Sequence, residues 1–131
     1  MTEIEKTEKI TINLGPVDLG QIDLLVQEGF YSNRTDFIRT AVRTQIATHA
    51  EVVKRTITRK TLVLGVQQYT RQDLEAVRAT GEMLQIHVLG LVNIAEDVSP
   101  ELALATINAI EVLGAFRASA AVKAALAGRI R

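Results

Sequence analysis

Side chains able to do proton or nucleophilic chemistry are few and scattered along this chain. His49 and His87 are the two histidines, and they lie far apart in sequence. Glu96 and Asp97 are adjacent, so on extended backbone they point opposite ways and fit a solvated loop better than a carboxylate pair. Cysteine is absent, which removes disulfides, thiolate metal sites and cysteine nucleophiles. Gly65, Gly90 and Gly114 are separated by more than 20 residues each and make no phosphate-cradling loop. The expectation is a protein with no catalytic residue, no metal and no cofactor. The polar side chains that do fall into a pattern are Lys9, Thr11 and Asn13, which alternate along one short segment.

That segment, residues 9–14, reads Lys-Ile-Thr-Ile-Asn-Leu. Ile10, Ile12 and Leu14 share one face and the three polar residues the other, the alternation of a half-buried strand. Gly15-Pro16 ends it, because proline cannot continue a ladder, and Pro16 suits the first turn of a helix. Leu19, Ile22, Leu25 and Val26 then recur at helical spacing up to Glu28, with Gly29 as the stop. The spacing predicts a second helix from an N-cap at Ser32, carried by Phe37, Ile38, Ala41, Val42, Gln45 and Ile46 to about Ala50. Arg34, Arg39 and Arg43 are scattered on its outside.

One strand followed by two helices leaves both strand edges unpaired and is not a stable monomer. Antiparallel pairing of two copies removes the problem. The pair makes a two-stranded ribbon over four helices, with a dimer core of Ile10, Ile12, Leu14, Phe37 and Ile38.

The arrangement resembles the ribbon-helix-helix family (Arc/MetJ/CopG-like repressors). The resemblance is carried by Lys9-Ile10-Thr11-Ile12-Asn13-Leu14, the helix over 16–28, and Gly29-Phe30-Tyr31-Ser32-Asn33-Arg34-Thr35-Asp36-Phe37-Ile38-Arg39-Thr40-Ala41. It covers about 40 residues. It implies a homodimer whose ribbon enters the major groove of double-stranded DNA. Lys9, Thr11 and Asn13 would then touch base edges, and Ser32, Asn33 and Arg34 would hold a phosphate at the second helix's N-terminus. Both roles have a physical basis: a ribbon fits the major groove, lysine donates to guanine, asparagine can read adenine with two bonds, and helix N-terminal amides attract anions. Glu3, Glu5 and Glu8 precede the strand. Acids there repel phosphates, so the first residues must bend away or stay mobile.

Residues 51–60 hold Lys54, Arg55, Arg59 and Lys60 without Gly or Pro, and are expected as a connector in which the end of the second helix turns into an extended strand from about Arg55. Beyond it Val63-Leu64-Gly65, Val88-Leu89-Gly90 and Val112-Leu113-Gly114 recur at intervals of 25 and 24 residues. Ile86 and Ile110 hold equivalent places, with Thr61 in the first copy. Each copy leads to a helix start, with N-caps expected at Thr70, Ser99 and Ser119 and Pro100 in a first turn. Gly81 and Gly128 read as terminators, and the last helix as Ala120 to Ala127. A strand and helix repeated at this period predict a short α/β solenoid of parallel strands. Its first strand, near Thr56 to Val66, is long enough to pair with its twin in a second subunit.

The 131 residues are 47% apolar, enough for a core. Fifteen basic residues balance 15 acidic ones, and residues 1–60 hold nine and eight. Neutrality argues against loose polyanion binding but leaves room for a local basic face. No apolar run reaches membrane-spanning length, the N-terminus is too acidic for a signal peptide, and missing cysteines fit a reducing cytoplasm. The sequence therefore predicts an α+β protein. Residues 1–8 are a flexible N-terminus, 9–50 an intertwined ribbon-helix-helix dimerisation and DNA-binding domain, 51–60 a connector, and 61–131 a three-repeat solenoid for oligomerisation or partner binding. The expected function is that of a bacterial-type, nucleoid-associated transcriptional regulator, a repressor reading an operator. The alternatives are an antitoxin, a plasmid-partition or relaxosome accessory protein, or a scaffold that dimerises through one module and polymerises through the other.

Overall fold

Capping side chains decide where most of the described helices begin, and glycines where two of them stop. A computed structural model describes residues 7–131. The expected flexible lead of residues 1–8 therefore lies, for residues 1–6, outside the described residues, as do Glu3 and Glu5. The described chain divides into two compact units, Thr7–Arg55 and Thr56–Arg131.

In the first unit, helix α1 (Pro16–Gln27) starts with Pro16 in its first turn. It ends where Gly29 takes φ 86°. There the Phe30 amide donates to Leu25 O at 3.0 Å and the Gly29 amide to Val26 O at 3.1 Å, which satisfies the last carbonyls. Helix α2 (Arg34–Thr48) is capped by Asn33, whose side chain accepts from the Asp36 amide. Ser32, expected as the cap, sits one residue earlier, and its amide donates to the Asp36 carboxylate at 2.9 Å. His49 closes α2, and helix α3 (Ala50–Lys60) follows at once. Residues 51–60 are thus helical, and the strand expected from Arg55 begins only at Val63. Val53, Thr56 and Ile57 are the half-buried positions of α3. Their helical spacing prevails over the strand propensity of a β-branched run.

The second unit alternates strand and helix: β1 (Val63–Tyr69), α4 (Arg71–Thr80), β2 (Leu84–Ile94), α5 (Pro100–Thr106), β3 (Ile107–Arg117) and α6 (Ala120–Ala125). The strands form an open three-stranded parallel sheet in the order β1-β2-β3. Mixed helix and strand is as expected. Thr70, Ser99 and Ser119 each cap the following helix, the first in a reciprocal box with Asp73. Gly81 ends α4 in the left-handed conformation. Gly128 is no terminator: α6 stops at Leu126, and Gly128 lies inside a 3-10 turn, Ala127–Arg129.

The repeat fixes the register. Val63, Val88 and Val112 are partners across the sheet, as are Leu64, Leu89 and Leu113, and Gly65, Gly90 and Gly114. The glycines have φ between 126° and 143°, and a Cβ on Gly90 would stand 2.1 Å from Gly65 O, one on Gly114 2.1 Å from Gly90 O. Only hydrogen fits at those two positions.

One face of the sheet carries the core. Ile86, Val88, Val92, Ile94, Ile107 and Ile110 meet Leu74, Leu102, Ala103, Val122 and Leu126 from the helical side. Thr106, buried, donates to Leu102 O at 2.7 Å. Arg129 donates to Leu104 O and Ile107 O at 2.6 and 2.7 Å, which satisfies carbonyls at the end of α5. Ile130 adds a single parallel bridge to Ile110 beside β3. His87 lies beside Glu111 at 3.4 Å, and Lys60 reaches the same carboxylate at 3.6 Å.

Candidate nucleic-acid interface

The first unit is built of apolar side chains with little to cover them. Among the described residues of Thr7–Arg55, only Ile22 is buried. Ile10 is 79% exposed, Ile12 54% and Leu14 41%. Leu24, Phe30, Val42 and Ile46 are exposed as well. A groove lined by Leu14, Ile22, Leu25 and Phe37 stays open to solvent. Phe37 and Ile38 are half-buried, and Phe37 meets Tyr31 edge-on with ring centroids 5.0 Å apart. A unit this size with one buried side chain has too little covered surface to stand alone.

Residues 7–15 carry neither helix nor strand. A strand is defined by its ladder to a neighbour, and the neighbour expected for residues 9–14 is a second copy. Lys9, Thr11 and Asn13 are all exposed there.

The turn between α1 and α2 is tightly bonded. Arg34 holds Asp23 with two parallel bonds, Nε to Oδ1 at 2.7 Å and Nη2 to Oδ2 at 2.8 Å. The hydrogen bond from Arg34 lowers the Asp23 pKa below its ordinary 3.8, and the same bond raises that of Arg34. Because the folded carboxyl is the more acidic one, the pair's contribution is present above pH 3.8 and fades as pH falls through the depressed value. NMR titration of Asp23 should accordingly give a midpoint under 3.8; a midpoint at or above it would contradict the geometry. Ser32, Asn33 and Arg34 all lie, exposed, at the start of α2. There the Asp36 amide is taken by Asn33, and the Asp36 carboxylate sits on the Ser32 amide. The structure brings these three residues together. Sequence reasoning missed the Asp23 partner of Arg34 and the bridging role of Asp36. An acid three residues after an asparagine, just before an apolar run, is the available signal.

The chain matches the ribbon-helix-helix transcriptional regulator family over residues 5–123. It belongs to that family. No curated protein and no solved structure matches it. The match runs through both units of this ribbon-helix-helix protein, whereas the resemblance visible in the residues stopped near Ala50. Membership brings with it a DNA-binding regulator's role and dimerisation; the family is typically non-enzymatic. Among the described residues, no group of three or more His, Asp or Glu is placed to hold a metal ion, and no helix is long and apolar enough to cross a membrane.

Proposed function

We propose that this ribbon-helix-helix protein is a sequence-specific repressor that binds an operator as a homodimer. The carrying observation is the bare Ile10, Ile12 and Leu14 beside a unit whose one buried residue is Ile22. Two such chains cover each other by pairing residues 9–14 into an antiparallel ribbon. The pairing turns Lys9, Thr11 and Asn13 outward twice over, where they meet base edges in the major groove. Ser32, Asn33 and Arg34 contact a phosphate at the start of α2. Arg34 does so while held by Asp23, which fixes its direction at the expense of its free charge. The protein acts in the cytoplasm, on the nucleoid.

The second unit supplies assembly. Its strand-helix repeats act as rungs of a short solenoid that joins subunits or receives a protein partner. An ordered, repeated second unit disfavours the antitoxin alternative, which calls for a tail that folds on its toxin. Partition accessory and scaffold roles remain the other outcomes of the test.

Replacing Asn13 with Ala should weaken operator binding by about 1–3 kcal/mol and relax preference at one base position. Fluorescence anisotropy on operator variants measures both. Unchanged affinity and unchanged preference would remove Asn13 from base reading. Absence of any salt-dependent operator binding by the wild-type chain would favour the scaffold role.

A further inference from the structure

The three equivalent rungs of the sheet differ in one respect: among the described residues, no strand pairs with β1 on its outer side. Val63 is 46% exposed, while its register partner Val88 is 1% exposed. Leu64 is 68% exposed and Val66 47%, although both belong to an apolar repeat. A Cβ on Gly90 or Gly114 would strike the preceding strand at 2.1 Å, whereas one on Gly65 would meet nothing within 4 Å. The opposite end of the sheet is treated differently, since Ile130 bridges Ile110 beside β3 and the Arg131 amide donates to Ile110 O at 2.8 Å. A bare apolar edge strand is a template for another strand.

We propose that β1 pairs antiparallel with β1 of the partner subunit, centred on Val66, which joins the two sheets into one. The proposal rests on the dimer formed by the first unit. That dimer holds the second copy close, because the first unit ends at Arg55, eight residues before Val63, and a tether so short gives a high effective concentration. A two-fold dimer makes self-complementary contacts. Val63–Tyr69 contains no charged residue and no proline, so the strand meets its own copy without like-charge repulsion or a missing amide. Its exposed leucine and valines become covered by the same residues of the twin.

The chain has no cysteine, so a single introduced thiol reports cleanly. Val66→Cys in the full chain should form covalently linked pairs on oxidation, or with a short bismaleimide, in a yield unchanged by tenfold dilution. Leu113→Cys, 48% exposed on β3, should not. On the unsubstituted chain, hydrogen exchange should show β1 amides protected as well as those of β2. A chain that sizes as a dimer but leaves Val66→Cys unlinked overturns the proposal alone, as does linkage that appears only at high concentration or is greater at Leu113→Cys. Fast exchange along β1 overturns it without any substitution. A chain that sizes as a monomer overturns the dimer reading and the proposal with it.

Discussion

Ile12→Asp should abolish dimerisation and unfold Thr7–Arg55 while leaving Thr56–Arg131 folded. In an isolated chain the substitution would be mild, because Ile12 is 54% exposed and surface changes usually stay within about 0.5 kcal/mol. In the proposed paired ribbon the same side chain lies in the dimer core, and two-fold symmetry would place two carboxylates there. An uncompensated buried charge costs about 3–5 kcal/mol, and loss of a buried isoleucine adds about 2–5 kcal/mol. A module with Ile22 as its one buried residue in the single chain has no reserve of that size. The core of the second unit, from Leu74 to Leu126, is drawn from its own strands and helices, so its signal should persist. Sedimentation equilibrium and far-UV circular dichroism measure both halves of the expectation. A variant that remains dimeric with the wild-type melting curve would mean the ribbon does not form.

Gly90→Ala should, like Gly114→Ala, be among the most damaging single-methyl changes in the second unit. Its backbone sits at φ 143°, where a side chain costs about 1–3 kcal/mol. The added carbon would also lie 2.1 Å from Gly65 O, a backbone atom that cannot turn aside. Overpacking of this kind adds about 1–3 kcal/mol, for a total of about 2–6 kcal/mol. Gly81→Ala is the matched control. It too has positive φ, 77°, but a Cβ there meets nothing within 4 Å, so the expected loss is about 1–2 kcal/mol. Urea unfolding followed by hydrogen exchange over β1–β3 would separate the two. Equal losses would show that the close stacking of glycines on carbonyls is not a constraint.

The features legible in the sequence were those set by local chemistry. Thr70, Ser99 and Ser119 cap helices because each offers an oxygen three residues ahead of the amide that needs it. The Val-Leu-Gly spacing gave the register because the glycine tolerates a backbone its neighbours cannot. Where two local signals compete, the sequence alone does not rank them. Ser32 and Asn33 are both capping residues, and the cap is Asn33, whose side chain accepts from the Asp36 amide while the Ser32 amide donates to the Asp36 carboxylate. Val52, Val53, Thr56, Ile57 and Thr58 favour strands by branching, yet three of them line one side of α3. The Asp23–Arg34 pair was hidden because it crosses a turn, and periodicity within one helix says nothing about a contact 11 residues away. The candidate ribbon was legible as alternation, and the ladder proposed for it belongs to two chains.

The central claim is that Lys9, Thr11 and Asn13 read DNA from a dimeric ribbon. The most direct test isolates genomic fragments with the wild-type dimer and then measures their binding by a triple variant, Lys9→Ala, Thr11→Ala and Asn13→Ala. These side chains are exposed in the single chain, so the variant should stay folded and dimeric by sizing. It should keep only weak, salt-sensitive binding that no longer distinguishes the selected fragments from random DNA. A folded, dimeric triple variant that binds the selected fragments as tightly and as selectively as wild type would contradict the claim.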